Sequence, residues 1–137
     1  LQFSFGNGDP YHEMDQNIVL YTGTHDNSTC IGWFDELLND KELNSEKNSI
    51  NLVDEVIKYI DYKPSDLIHW NMILYAMSSK ASYCIIPLQD ILGLNDNSRM
   101  NIPGTVGNNW LWRFKKETLT EAIKEKLKLI TKDVNRI

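Results

Sequence analysis

The spacing of apolar residues changes from segment to segment along this chain, and it predicts both strands and helices. Ile18–Tyr21 is an uninterrupted apolar run with two β-branched residues, which predicts a strand buried on both faces. Residues 81–87 predict a further buried strand. Leu1–Phe5 alternates apolar and polar residues and then meets a loop rich in glycine and asparagine, so we predict a strand there too.

Four other segments carry apolar residues every three or four positions, which is the spacing of an amphipathic helix. We predict that Asn27 or Ser28 caps the first of them, which runs to about Leu38. The last helix is predicted to begin at Thr118 or Thr120. The residues predicted to face the core are Ile31, Phe34 and Leu38, then Ile50, Val53, Val56, Ile57 and Ile60, then Leu67, Trp70, Ile73, Leu74 and Met77, and finally Leu119, Ile123, Leu127, Ile130 and Val134.

Polar segments separate these elements. Residues 39–48 are predicted as loop, Lys63–Asp66 breaks the chain and caps the next helix, and Ser98–Asn109 is a loop rich in glycine and asparagine. Strands that are separated by helices predict parallel pairing and an α/β fold. Because three strands are too few to close a barrel, we expect the chain to be part of a larger unit.

Composition narrows the possible partners. The chain has 137 residues, the length of one ordinary domain, and its net charge of −5 repels phosphate backbones, so we predict no nucleic acid partner. No apolar stretch approaches the roughly 20 residues that a bilayer span requires, and no secretory signal is visible. The lone pair Cys30 and Cys84 predicts free thiols in a reducing compartment. We therefore predict a cytoplasmic protein that does not insert into membranes.

Metal and nucleotide chemistry have no motif in this sequence. His12, His25 and His69 lack the spacing of paired metal ligands, and neither cysteine lies in a Cys-x-x-Cys pattern. No phosphate-cradling glycine motif precedes a helix. We predict that the protein needs no metal and no organic cofactor.

The segment that follows the strand at Ile18–Tyr21 carries the strongest candidate chemistry. The apolar run ends abruptly, and His25 and Asp26 come four and five residues later. Burying these side chains without partners would cost several kcal/mol, so we expect them in a cleft at the carboxyl end of the strand. Asp26 is therefore the first candidate for a catalytic carboxylate.

Four segments occur in an order that resembles one enzyme family. They are Tyr21–Asn27, Pro87–Leu94, Arg99–Thr105 and Gly107–Arg113, and together they resemble the 4-α-glucanotransferases, also called amylomaltases or disproportionating enzymes, of glycoside hydrolase family 77. The resemblance covers nearly the whole chain and is loosest at residues 40–65.

This resemblance implies the fold. Residues 1–137 would be the carboxyl-terminal part of a (β/α)8 TIM barrel that forms one catalytic domain. Leu1–Phe5 would be strand six, Ile18–Tyr21 strand seven and Tyr83–Ile86 strand eight.

The resemblance also implies an activity, the transfer of α-1,4-glucan segments between maltooligosaccharides and linear α-1,4-glucans with retention of configuration. That reaction needs an aspartate nucleophile and a glutamic acid/base about 5–5.5 Å apart, which the family carries on earlier strands. Asp26 matches the third acidic residue, which supports the cationic transition state. His25 is expected to contact the same sugar, and Asn101 matches a position that lines the sugar cleft.

The case for Asp26 also stands on physical chemistry alone. The transition state resembles an oxocarbenium ion, and a fixed carboxylate stabilises such a cation more than it stabilises the neutral substrate. The alternative is a surface His-Asp pair in a simple turn at the end of the strand.

Several neighbouring residues have two open interpretations. Asn27 either hydrogen-bonds near Asp26, as a substrate-binding residue, or caps the following helix, and the cap is slightly favoured. Asn101 either contacts sugar or is a turn residue before Pro103. For Trp110 and Trp112, packing into a core is favoured over stacking on sugar.

Other polar residues are assigned structural roles. Gln89 and Asp90 are predicted to order their loop, and Arg113 is predicted to be an ion-pair partner. His12 lies in a loop that departs from the family pattern, so we assign it no role.

Two other functions remain open at this point. One is an α-amylase-type hydrolase, because a His-Asp pair after strand seven also occurs in those barrels. The other is a non-catalytic glucan-binding or interaction fragment, since the expected nucleophile and acid/base are not in these residues.

Overall fold

The computed structural model describes residues 1–6, 16–43 and 47–136. Their strands and α-helices are β1 (Val19–Tyr21), α1 (Cys30–Leu43), α2 (Lys47–Tyr59), α3 (Ile68–Met77), β2 (Tyr83–Ile85), α4 (Leu88–Ile91) and α5 (Glu121–Asp133), with short 3-10 helices at Gln2–Ser4, Asp96–Ser98 and Lys116–Thr118. Within the described ranges, no helix is both long enough and apolar enough to cross a membrane.

The two strands pair in parallel, as the sequence predicts. Leu20 of β1 lies opposite Cys84 of β2, and helices α1 to α3 form the connection between the strands. Both strands therefore direct their carboxyl ends to the same edge of the sheet.

The prediction that Ile18–Tyr21 is buried on both faces is not met within this chain, and the second predicted strand is not buried on both faces either. Leu20 is buried, whereas its neighbours Val19 and Tyr21 are 46% and 37% exposed, and β2 repeats this pattern with Tyr83 and Ile85 exposed. The helices pack on the side of Leu20 only, so the opposite face of the sheet has no covering layer among the described residues.

The prediction of a strand at Leu1–Phe5 is also wrong, because residues Gln2–Ser4 form a 3-10 helix. The amide of Ser4 donates to the carbonyl oxygen of Leu1 at 2.9 Å, which closes the turn. A period of three residues places Gln2 and Phe5 on one side, and both are buried while Phe3 is 81% exposed. The ring of Phe5 stacks on Trp33 at a centroid distance of 5.6 Å.

Helix α1 begins later and ends later than predicted. Its cap is Thr29 rather than Asn27 or Ser28, since the hydroxyl of Thr29 accepts a hydrogen bond from the amide of Gly32 at 3.1 Å. The helix continues to Leu43, so the predicted loop is wrong for 39–43 and for 47–48, and residues 44–46 lie outside the described residues. Asn39 and Asp40 are exposed, which explains why this part of the helix is polar.

The predicted core faces of the later helices are largely confirmed. Val53, Val56 and Ile60 of the α2 region are buried, and Trp70, Ile73 and Met77 of α3 are buried too. Leu67 and Leu74 are exceptions, with 61% and 43% of their surface exposed. Thr120 caps α5 as predicted. Three apolar residues of that helix, Ile123, Leu127 and Ile130, and the residue that follows it, Val134, pack against Trp70, Ile73 and Met77.

Candidate active site

The turn after β1 is held by its own hydrogen bonds. The side-chain oxygen of Asn27 accepts from the amide of Thr24 at 2.7 Å and from its hydroxyl at 2.9 Å. The amide of Asn27 donates back to the carbonyl of Thr24 at 3.1 Å. Asn27 therefore fixes the turn that presents His25 and Asp26, and the favoured prediction that it caps α1 is wrong.

Two neighbouring side chains orient the carboxylate of Asp26. Its Oδ1 accepts a hydrogen bond from Nδ2 of Asn101 at 2.6 Å, and its Oδ2 lies 3.3 Å from Nε2 of His25. The side chains of His25 and Asp26 are 52% and 46% exposed. The carboxylate is thus fixed in direction and still open to a ligand.

Asp26 lines a large groove. This groove has a volume of about 680 Å³, and its lining also includes residues 1–3, residues 18–24, Asn27 and Pro103. A second cavity of about 140 Å³ lies beside it and is lined by His25, Gln89 and Arg99, among other residues. The groove runs along the face of β1 that the other described residues leave uncovered, and Asp26 is part of its lining.

The loop that follows β2 closes over the His-Asp pair. The backbone amide of Asn101 donates to the carbonyl of His25 at 3.1 Å. The ring centroids of Trp110 and His25 are 4.9 Å apart. Trp110 is 51% exposed, so the favoured prediction that it packs in a core is wrong. Trp112 is half-buried and stacks on Phe114 at 6.2 Å.

A charged residue of this loop has contacts that the sequence reasoning missed. Nη2 of Arg99 donates to the carbonyl of Asp26 at 2.8 Å, and Nη1 donates to the hydroxyl of Ser28 at 3.2 Å. Nη1 also lies 3.6 Å from the carboxylate of Asp96. One signal was present in the sequence, because Arg99 is the only charged residue between Asp96 and Arg113.

A buried carboxylate links the ends of the turn. Asp90 is 2% exposed, and it accepts from the hydroxyl of Thr22 and from the amide of Cys30, both at 2.7 Å. Thr22 follows β1 and Cys30 begins α1, so Asp90 connects the two ends of the segment that carries Asp26. The predicted loop-ordering role of its neighbour Gln89 is confirmed, since Nε2 of Gln89 donates to the carbonyl of Ser98 at 3.1 Å.

Arg113 and Cys30 do not line the groove. Arg113 donates to the carbonyls of Trp110 and Trp112, so within the described residues its partners are backbone oxygens rather than the predicted carboxylate. Burial raises the pKa of the Cys30 thiol well above its ordinary value, so Cys30 is no thiolate nucleophile. His12 lies outside the described residues.

The described ranges contain no group of three or more histidine, cysteine, aspartate or glutamate side chains that could hold a metal ion. The chain has instead a fixed, half-exposed carboxylate beside a groove, at the carboxyl ends of two parallel strands. This arrangement defines an α/β protein with its site at the carboxyl edge of the sheet.

Comparison with known proteins identifies the family. The family model described as 4-alpha-glucanotransferase matches residues 1–120, and the chain belongs to this family. It is 41% identical over 122 residues to the 4-alpha-glucanotransferase of Synechocystis sp., a match that covers 89% of this chain and 22% of the relative. It is 43% identical over 122 residues to the chloroplastic/amyloplastic 4-alpha-glucanotransferase of Arabidopsis thaliana, which covers 86% of this chain and 19% of that relative.

A solved structure has the same fold. The amylomaltase from Streptococcus agalactiae in complex with acarbose superposes with a TM-score of 0.81 at 33% identity, over 98% of this chain and 26% of that one. The chain thus spans about a fifth of the length of the two curated relatives that we compare, and about a quarter of the solved amylomaltase.

Proposed function

We propose that this chain is the carboxyl-terminal part of the catalytic barrel of a 4-α-glucanotransferase, with residues 1–137 in one domain. In this proposal β1 is strand seven and β2 is strand eight of a (β/α)8 barrel. Two observations support it. The strands are parallel with helices on one face, and Val19 and Tyr21 leave an apolar face that the rest of the barrel would cover, so that only the part of the groove at Asp26, beyond the strand ends, would stay open to substrate.

The proposed activity is the transfer of α-1,4-glucan segments between maltooligosaccharides or linear α-1,4-glucans, with retention of configuration. The family membership supports this reaction. A retaining mechanism requires a nucleophile and an acid/base, which other parts of the barrel would provide. A cytoplasmic location remains a prediction, since the Arabidopsis relative is chloroplastic/amyloplastic.

The single observation that carries the proposed role of Asp26 is the fixed direction of its carboxylate. A carboxylate has about four lone-pair positions, and here Asn101 and His25 address one oxygen each. The remaining positions can accept hydrogen bonds from sugar hydroxyls. As the sugar gains positive charge, the same carboxylate stabilises it without having to reorient.

Three neighbours are proposed as sugar contacts. His25 and Asn101 both contact the carboxylate of Asp26, which lines the groove, so their remaining donors are proposed to reach the same sugar ring. Asn27 lines the groove as well, and its oxygen is engaged by Thr24. The side-chain nitrogen of Asn27, Nδ2, is therefore its proposed donor to substrate.

The test is Asp26→Asn in the complete enzyme that carries this chain. With maltotriose as substrate, the enzyme should produce glucose and longer chains, and the variant should lower kcat about 10²–10³-fold. Asp66→Asn is the matched control, because Asp66 also accepts hydrogen bonds in a turn, from the amide of Lys63 and from Asn71. It should keep normal turnover.

Near-normal glucose release by Asp26→Asn would refute the proposed catalytic role of Asp26. Products that include only sugars shorter than maltotriose would refute transfer and indicate hydrolysis. An unchanged melting temperature shows that the Asp26 variant is folded.

A further inference from the structure

We propose that Arg99 is a positioning residue for Asp26, a role that rests on the proposed function of Asp26 in the transferase. Arg99 acts on the backbone that carries the carboxylate. It does not touch the carboxylate itself, which Asn101 and His25 contact.

The guanidinium of Arg99 bridges the two loops of the site. One nitrogen donates to the carbonyl of Asp26 at 2.8 Å and the other to the hydroxyl of Ser28 at 3.2 Å. These bonds span more than 70 residues of sequence, so they fix the turn after β1 against the loop after β2. Two residues beyond Arg99, the amide of Asn101 donates to the carbonyl of His25.

Arg99 is itself anchored to helix α1. Its side chain is only 17% exposed and lies 3.6 Å from Oδ2 of Asp96. The other oxygen of Asp96 accepts from the amide of Thr29, the cap of α1, at 2.8 Å. A rigid helix end is thus connected through Asp96 and Arg99 to the carbonyl of Asp26.

The planar fork of arginine suits this geometry. It directs two nitrogens at two acceptors in fixed relative positions, whereas the ammonium of lysine is a compact point charge on a flexible stem. Lysine would keep the charge near Asp96 and lose the paired contacts with Asp26 and Ser28. Charge alone therefore does not replace Arg99.

The expected consequence is a loss of turnover rather than of substrate affinity. Displacing a catalytic group by about 1 Å can cost up to about 10²-fold in rate, and the carboxylate of Asp26 acts mainly on the transition state. In the complete enzyme, Arg99→Gln should lower kcat for maltotriose about 10- to 100-fold and change KM less than about threefold. Arg99→Lys should recover only part of this loss.

A double-mutant cycle shows whether Arg99 acts through Asp26. If it does, the double variant Asp26→Asn/Arg99→Gln should be about as slow as Asp26→Asn alone. A double variant slowed by the product of the two single effects overturns the proposal, and so does a normal kcat for Arg99→Gln. Normal turnover by Asp26→Asn would instead refute the proposed function on which the inference rests.

Arg136→Lys is the matched control. The guanidinium of Arg136 also donates hydrogen bonds to backbone oxygens, those of Met77, Ala81 and Ser79. None of these residues lines the groove. Arg136→Lys should lower the melting temperature and leave kcat unchanged. If Arg99→Gln does not fold, Ser28→Ala is the alternative variant, because it removes one of the acceptors of Arg99. It should lower kcat about two- to tenfold, since only one contact of Arg99 is lost. An unchanged kcat counts against the proposal.

Discussion

Replacing Thr22 by valine tests whether the Asp90 clamp holds the site in place. The hydroxyl of Thr22 and the amide of Cys30 each donate to Asp90 at 2.7 Å, and all three residues are buried. Valine has nearly the shape of threonine and replaces the hydroxyl with a methyl group. One oxygen of the buried carboxylate then loses its donor.

The size of the effect follows from the charge on the acceptor. Hydrogen bonds to charged groups contribute about 1.5–3 kcal/mol, so Thr22→Val should lower the free energy of unfolding by about that amount. Thr22→Ser keeps the hydroxyl and removes one buried methyl group, which should cost about 0.8 kcal/mol. In Asp90→Asn the side-chain oxygen can still accept from the amide of Cys30, and the side-chain nitrogen must donate to the hydroxyl of Thr22 instead of accepting from it; the loss of charge assistance should cost about 2 kcal/mol.

The assay is urea unfolding of the protein that carries this chain. The slope of the free energy of unfolding against urea concentration has to be the same in all variants for the comparison to hold. Valine should be more destabilising than serine at position 22. If serine is as destabilising as valine, the methyl group matters more than the hydrogen bond and the reasoning fails. A Thr22→Val protein as stable as the wild type within about 0.5 kcal/mol would also refute it.

Two further predictions concern the packing around the site. In Gly32→Ala, the added methyl would overlap the carboxylate of Asp96, which accepts from the amide of Thr29 at 2.8 Å. Gly32→Ala should therefore lower the melting temperature, although alanine favours a helix over glycine by about 1 kcal/mol. In an Asp96→Ala background the overlap is absent, so Gly32→Ala should raise the melting temperature. Burial lowers the pKa of His69 below its ordinary value of 6.5, while Nδ1 of His69 lies 2.7 Å from the carbonyl of Asp90. The unfolded state then binds more protons just below pH 6.5, so the free energy of unfolding should fall as the pH is lowered through that value. His69→Asn, which keeps a donor for this carbonyl, should reduce the slope, and identical slopes in the two proteins would contradict the assignment.

Helices with a regular apolar period were predictable from the sequence because the period is local. Val53, Val56 and Ile60 recur at three and four residues, and the structure buries all three. The same rule failed at Leu1–Phe5, where five alternating residues also fit a 3-10 turn that buries Gln2 and Phe5. It failed again at 39–43, which are part of α1, where the side chains of Asn39 and Asp40 are exposed.

The position of Asp26 at the end of a strand was also predictable, because an apolar run that stops at a polar cluster indicates a strand end. Its partners were harder to predict. The family resemblance assigned Asn101 to the sugar cleft, but the hydrogen bond between Asn101 and Asp26 joins residues 75 positions apart. The bridge from Arg99 to Asp26 and the clamp of Asp90 have the same long range.

The sequence by itself therefore determined the helical faces, the two strands and the candidate carboxylate, since each depends on residues that are close together in the chain. Only the tertiary structure decided what surrounds that carboxylate. Parallel pairing of β1 with β2 brings two strand ends to one edge, and the loops that follow can then exchange hydrogen bonds. Spacing along a chain encodes local periodicity, whereas contacts between these loops depend on distances that exist only after the strands have paired.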